Sequence, residues 1–248
     1  MPIVTMYPLA TVLAGKILSD QLSARRMVET LRASEERLQR SVAEKEVLLR
    51  EVHHRVKNNL NVVSSLLSLQ SNSITSPERA MDAFAHSRER IMAMALVHEE
   101  LYKSDDFARV DMESYVRRLV NNLADAMGTC NRVDIHLDIR NVKMSVSTSV
   151  PCGLILNELV TNALKYAFPD NRTGTIQLTM YKEDDAQVHI DFSDNGIGLA
   201  KPYEELSNIT GGSLGMTLIG LLVSQLDGKI DVQSSTTGTR FTILCTGG

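Results

Sequence analysis

The chain has 248 residues, of which 43% are hydrophobic and 23% charged, an ordinary balance for a globular protein that buries a core in one large domain or two small ones. Its 26 Lys and Arg against 30 Asp and Glu leave a formal charge of −4, and aromatic residues are only 4% with no Trp, which argues against a general nucleic-acid or membrane-surface binder and against base-stacking platforms. Three widely spaced cysteines, Cys130, Cys152 and Cys245, form no CxxC pair, so neither a disulfide framework nor a zinc site is suggested and a cytoplasmic location fits best.

Residues 1–15 are uncharged and fairly apolar, yet shorter than the roughly 20 residues that a membrane-spanning helix needs. Pro2 and Pro8 interrupt them and no basic stretch precedes them, so they read as a loosely ordered start rather than a signal peptide or a membrane span. Residues 16–104 read as helix. Val28, Leu31, Leu38, Val42, Leu49 and Val52 fall on the two seam positions of a heptad, interrupted at Glu35 and Lys45. Glu36 with Arg40, and Glu46 with Arg50, are i,i+4 pairs of favourable order. The segment 71–77 is a breaker, after which Ser76 suits an N-cap and Pro77 the first helical position of a second helix running to about Tyr102. This makes an antiparallel helical hairpin whose half-covered apolar stripe is expected to pair with a second copy in a four-helix bundle, giving a homodimer. A connecting helix over 111–127 ends at Gly128.

The character changes from residue 131. Val133, Ile135, Leu137 and Ile139 alternate with polar residues, as in a half-buried strand. A helix follows over 149–167, then alternating runs at 175–181 and 187–193, a glycine-rich stretch, a helix at 214–226, and strands at 229–233 and 239–245. Helices on one face of a mostly antiparallel sheet define an α+β sandwich. The expected organisation is a start at 1–15, a coiled-coil entry and helical hairpin at 16–104, a connecting helix at 105–130 and an α/β sandwich at 131–248.

There is no GxxxxGKS/T loop, and Gly196-Ile197-Gly198-Leu199-Ala200-Lys201 lacks the third glycine of a dinucleotide fingerprint. Four other pieces carry a nucleotide signal. Glu158, Asn162 and Lys165 share one helix face, where a carboxylate, an amide oxygen and an ammonium can serve a hydrated Mg²⁺ and a phosphate. Asp194-Asn195-Gly196-Ile197-Gly198 follows a strand, so its carboxylate can accept a hydrogen bond from an exocyclic amine while glycines let the backbone approach a ligand. Gly211-Gly212-Ser213-Leu214-Gly215 opens a helix whose backbone N–H groups and dipole suit a phosphate. Gly238-Thr239 enters the last strand.

In this order and spacing the four pieces resemble the N, G1, G2 and final GT boxes of the GHKL ATP-binding fold, shared by gyrase, heat-shock chaperone, histidine kinase and MutL, over about 131–245. The resemblance implies that Asn162 ligates Mg²⁺, with Lys165 and Tyr166 beside the nucleotide. It implies that Asp194 reads the adenine amino group, that Gly196 and Gly198 shape the adenine pocket, and that Thr239 supports Asp194 directly or through a water. Gly212, Ser213, Leu214 and Gly215 would flank the triphosphate, and residues 199–212 would form a short lid. Glu158, beside the metal ligand, is a candidate catalytic acid/base or metal-water holder.

Upstream lies His53-His54-Arg55-Val56-Lys57-Asn58-Asn59-Leu60. At about 100° per residue, Arg50, Glu51, Lys57, Asn58 and Asn61 fall within about 60° of His54, so His54 is placed at the centre of a polar face and His53 at the edge of the apolar seam. A neutral imidazole ringed by cations and amides suits attack on a phosphoryl group. This run resembles the HHRVKNN-type sensor histidine kinases, relatives of the HWE group. The two resemblances together imply an ATP- and Mg²⁺-dependent protein-histidine kinase of a two-component system, phosphorylated on His54 and passing the group to an Asp of a separate response-regulator receiver domain. Arg55 follows the histidine where commoner histidine kinases carry an acidic residue, so Glu51 is the expected partner of the imidazole Nδ1–H. His86, His98, His136 and His189 read as structural or solvated. The competing classes are a GHKL ATPase or an anti-sigma-type serine kinase, neither of which needs His54, and a non-catalytic dimerisation module, against which the glycine boxes argue.

Overall fold

The computed structural model describes residues 77–103, 109–129, 132–182, 187–208 and 213–246, together with helical positions between 16 and 42. The chain divides into two compact units, Met1–Asn58 and Asn59–Gly248. In the first, the described residues are helical and solvent-facing, and the heptad residues Leu31, Leu38 and Val42 are exposed. Val28, Leu49 and Val52 of the same heptad lie outside the described residues, as does the 1–15 segment. No helix among the described residues is long and apolar enough to cross a membrane.

The first described element of the second unit is α1, Pro77–Lys103, opened by the proline at the position where its missing N–H costs nothing. A three-residue strand β1, Arg109–Asp111, leads into α2, Met112–Ala126. Asp111 caps α2 by accepting a hydrogen bond from the Glu113 N–H. Strand β2, Val133–Arg140, and a short β3, Lys143–Ser145, precede α3, Val146–Asn162. Ser145 caps α3, which therefore starts three residues earlier than the sequence pattern places it. Its α-helical bonding ends at Asn162, and Ala163–Ala167 form one π turn. Then come β4, Gly174–Lys182; β5, Gln187–Asp194; a single turn α4, Tyr203–Leu206; α5, Leu214–Gln225; β6, Lys229–Ser235; and β7, Gly238–Thr246.

Five strands form one sheet in the order β2-β4-β5-β7-β6, and β1 pairs with β3 beside it. Only β2 and β4 run parallel, joined by the α3 crossover; every other neighbour pair is antiparallel. The two-residue alternation sets the inward face. Leu178, Phe192 and Phe241 lie in one cross-strand row, and Met180, Ile190 and Ile243 in the next, all buried. The opposite face keeps Gln177, Gln233 and Arg240 toward solvent, as expected of a sheet covered on one side. The architecture is the expected α+β one.

The layer covering the sheet is thicker than the sequence reading places it. Every residue from Ser149 to Thr161 of α3 is buried. A helix apolar on all sides must be covered on all sides. Its far side is covered by α1, whose Ala93, Met94, Leu96, Val97 and Leu101 belong to the same hydrophobic core as α2, α3 and the sheet. The chain segment 77–103, read from sequence as half of a separate helical hairpin, thus shares a core with 131–248. Leu96→Ala is accordingly expected to destabilise the whole second unit by about 2–5 kcal/mol, the usual cost of emptying a buried leucine site. Chemical denaturation followed by hydrogen exchange in β4 and β5 checks this; unchanged protection of those strands would mean that α1 is not part of their core.

Candidate nucleotide site

The end of α3, the turn after β5, the start of α5 and the start of β7 meet around a cavity of about 450 Å³. Of the residues singled out from sequence, Glu158, Asn162, Tyr166, Asp194, Gly198, Ser213, Leu214, Gly215 and Thr239 all line it. Gly196 and Lys165 lie just outside the lining. Gly212, His54 and Glu51 lie outside the described residues.

One end of the cavity is built on Asp194, the last residue of β5, paired in register with Thr239 of β7. The Gly196 N–H donates to Asp194 Oδ1 at 2.8 Å, and the Thr239 backbone also bonds the carboxyl. Burial dominates nonetheless and raises the Asp194 pKa above its ordinary 3.8, with these two backbone bonds opposing it. The turn is held on three sides. Asn195 Oδ1 accepts from the Thr175 N–H at 2.7 Å, the Ile197 N–H donates to Ala167 O of the π turn, and the Leu199 N–H donates to Ser234 Oγ. Gly198, at φ +79°, leaves room for Ser235 O, which would lie 2.0 Å from an added Cβ; Gly238, at φ +138°, does the same for Asp194 O. Thr239 therefore supports Asp194 through its backbone, while its hydroxyl lies 3.4 Å from Ser234 Oγ.

The other end is built on α3 and α5. Ser213 caps α5 by accepting from the Met216 N–H, and its own N–H donates to Leu206 O, which fixes α4 to the start of α5. Tyr203 of α4 packs edge-on against Phe241. Of the stretch expected to act as a lid, 199–208 is thus anchored to the cavity wall, and 209–212 lies outside the described residues.

Two residues of this end were not legible as such. Arg90 of α1 is buried and clasps Glu158 in a two-pronged ion pair, Nε to Oε1 at 2.7 Å and Nη2 to Oε2 at 2.9 Å. Asn157 Nδ2 also donates to Glu158 Oε1. Both Glu158 oxygens are therefore taken, so in this arrangement the residue faces a guanidinium rather than a water or a metal. This departs from the role expected of it. His86, read as structural or solvated, lines the cavity one helical turn before Arg90. Its Nε2 is 3.2 Å from Lys165 Nζ. Burial first, and the Lys165 charge second, lower the His86 pKa, so the imidazole is neutral at pH 7 and can accept from the ammonium. The i,i+4 spacing of His86 and Arg90 was visible in sequence; that their helix packs on α3 was not.

The donor set suits a nucleotide carrying its own metal. Among the described residues no cluster of three or more His, Cys, Asp or Glu could hold a metal ion by itself. Asn162 brings an amide to the cavity, whose oxygen is the atom that could meet a metal and whose buried Nδ2 donor has no partner among the described residues. A Mg²⁺ typically takes few protein ligands and several oxygens from phosphate and water.

Residues 51–127 match the family model described as "Histidine kinase", and residues 147–246 match "Histidine kinase-, DNA gyrase B-, and HSP90-like ATPase". The chain thus carries a histidine kinase segment followed by an ATP-binding domain of GHKL fold. Among curated relatives, the sensor histidine kinase PdtaS of Mycolicibacterium smegmatis is 30% identical over 95% of this chain and 45% of its own length. Blue-light-activated histidine kinase 2 of Erythrobacter litoralis is 27% identical over 77% of this chain and 54% of its own. The chain therefore spans about half the length of these relatives. The solved structure of the Erythrobacter litoralis EL346 blue-light activated histidine kinase superposes with a TM-score of 0.64 at 26% identity, covering 80% of this chain and 58% of that one. Its histidine kinase domain alone gives 0.58 at 22% identity, covering 75% and 95%.

Gly215 sits against the Arg90–Glu158 pair: a Cβ there would lie 2.8 Å from Glu158 Oε2, whereas at Gly220 on the same helix the nearest atom is Tyr203 Oη at 3.4 Å. Gly215→Ala is expected to cost about 1–3 kcal/mol of stability through overpacking and Gly220→Ala clearly less. Paired thermal melts check the difference.

Proposed function

We propose that the chain is an ATP-dependent protein-histidine kinase of the HHRVKNN type, which phosphorylates its own His54 and passes the phosphoryl group to an aspartate of a response-regulator receiver domain. The observation that carries this reading is one cavity with a half-buried aspartate at one end and a helix N-terminus with an asparagine at the other, in a chain whose 51–127 segment matches a histidine kinase model. In this reading Asp194 accepts a hydrogen bond from the adenine amino group, and the backbone bonds from Gly196 and Thr239 orient its carboxylate. Gly198 and Gly238 let the backbone close around the base. Ser213, Leu214 and Gly215 present the start of α5 to the phosphates. Asn162 gives one oxygen to Mg²⁺, which when bound offsets phosphate charge. Lys165, oriented by His86, adds a cation, and Tyr166 borders the site from the π turn. Gly212, next to the cap residue Ser213 in sequence, is expected beside the phosphates as well.

His54 supplies the nucleophile. The Nε2 lone pair forms the N–P bond as the bond from the γ-phosphorus to the ADP oxygen breaks, and Glu51 orients the ring by accepting from the Nδ1–H, offsetting the charge that develops on the imidazole. Such a transfer rests mainly on positioning and charge neutralisation. A second copy of the chain pairs through the heptad and hairpin to form a dimer. A water-activating ATPase is disfavoured because Glu158, the residue that would act on water, is held by Arg90.

Labelling with γ-³²P-ATP tests the reading. Wild type is expected to take up acid-labile, alkali-stable label, and His54→Gln and Asn162→Ala to lose it. Label that survives in His54→Gln and vanishes in His53→Gln would move the nucleophile to the neighbouring histidine, and acid-stable label would favour a serine kinase. Glu51→Gln is expected to slow labelling without changing ATP affinity.

Asp194 also sets a pH dependence. Its pKa is raised, so it protonates at a higher pH than an ordinary aspartate, and the protonated form is the weaker acceptor because it has lost its negative charge. Affinity for ATP should therefore be full well above the raised pKa and fall as pH is lowered through it. Asp194→Asn should bind at least tenfold more weakly, the weight of one charged hydrogen bond of about 1.5–3 kcal/mol, and show no such titration. Titration calorimetry across pH separates the two behaviours.

A further inference from the structure

We propose that Arg90 is a ligand of the nucleotide's phosphate chain, carried into the site by α1; the proposal rests on the nucleotide reading above and extends it. Arg90 is 3% exposed, lines the cavity, and uses only two of its three guanidinium nitrogens on Glu158. The third, Nη1, is buried and has no hydrogen-bond partner among the described residues. A buried charged donor left unpaired is costly unless a ligand satisfies it. Its position along the cavity selects the ligand's end. Glu158 Oε2, the oxygen that Nη2 holds, abuts Gly215 at the opening of α5, away from Asp194. The neighbouring polar atoms agree with an anion. Asn162 Nδ2 is a second buried donor without a partner, and Lys165 stands 3.2 Å from His86, one turn before Arg90. A planar guanidinium fork is also the side chain best shaped for phosphate oxygens. The nucleotide site is then composite, with α1 from the segment that matches the histidine kinase model and α3 and α5 from the segment that matches the ATPase model.

Removing Arg90 alone would strand the Glu158 carboxylate in the core, so the informative pair is Glu158→Gln against the double variant Arg90→Gln/Glu158→Gln, which holds no lone buried charge. Arg90→Lys, which keeps the charge and loses the fork, is measured beside them. Each full chain is titrated with ATP and with adenosine. Relative to Glu158→Gln, the double variant is expected to bind ATP on the order of tenfold more weakly or worse, with adenosine affinity within about twofold. Arg90→Lys should fall between wild type and the double variant for ATP and match wild type for adenosine. Unchanged ATP affinity in the double variant, or equal losses for ATP and adenosine, would overturn the proposal and leave Arg90 a purely structural partner of Glu158. Wild type that binds adenosine and ATP alike would do the same. Wild type that binds neither removes the nucleotide reading itself. Wild type that binds ATP with the expected Arg90 dependence, yet takes no acid-labile label, fails the histidine-kinase reading and leaves this ligand in place.

Discussion

The helix α3 has no solvent-facing side, and the rest of the second unit follows from that constraint. Leu154, Ile155, Leu156, Leu159 and Val160 point in every direction around its axis and are all at most 1% exposed. Each such side chain gains about 1.5–3 kcal/mol on leaving water, so partial cover would forfeit a large part of the stability of a domain this size. The sheet covers one side, α5 another, and α1 and α2 the remainder. Only the ends escape: Ser147 in the first turn is exposed, Asn162 is half-buried, and Lys165 and Tyr166 on the following π turn are exposed. The groups that face the cavity are thus presented by the most firmly held element of the fold. A π turn at that point re-aims the side chains that follow, which is where such turns are commonly used.

Burying α3 on all sides also buries its polar residues, and the way they are satisfied is uneven. A carboxylate buried in that layer needs a charged partner, and for Glu158 it is Arg90 of α1. A pair of this kind adds little net stability compared with an apolar substitute, because both ions have been taken from water; what it fixes is position. Around it, Arg90 Nη1, Asn157 Oδ1, Thr161 Oγ1 and Asn162 Nδ2 have no partner among the described residues. Four of the six unsatisfied buried atoms found there thus come from Arg90 and the last six residues of α3. A folded core normally satisfies nearly all such atoms; of these four residues Arg90 and Asn162 line the cavity, whereas Asn157 and Thr161 do not.

The strands and the four nucleotide pieces were legible because each depends on local pattern. Alternation at 133–139, 175–181, 187–193 and 239–245 gave the strands to within about two residues, and the glycines at 198 and 238 stand where a side chain would strike backbone. The pieces brought together from 158–166, 194–198, 213–215 and 239 line one cavity. What escaped was non-local. Three-residue strands such as β1 and β3 carry no period to read. The seating of α1 on α3 depends on two helices some sixty residues apart finding each other, and the one-dimensional pattern of α1 is equally compatible with a free-standing hairpin. For the same reason Glu158 was read as a catalytic acid/base or metal-water holder with no partner from α1, and His86 and Arg90 were not read as site residues at all.

The charge distribution along the cavity gives a nucleotide one way to enter. At the Asp194 end the only ionisable group in the lining is an acid, and its burial leaves it little screened. A triphosphate brought there would meet a like charge in a low-dielectric setting, whereas an amino group would meet an acceptor. At the opposite end the lining holds Arg90, a neutral His86 and the start of α5, with Lys165 just beyond; Glu158 is already neutralised by its partner. Residual positive potential therefore lies where the phosphates would sit and negative potential where the base would sit. Orientation is thus encoded by charge before any individual contact is made, and the individual contacts refine it.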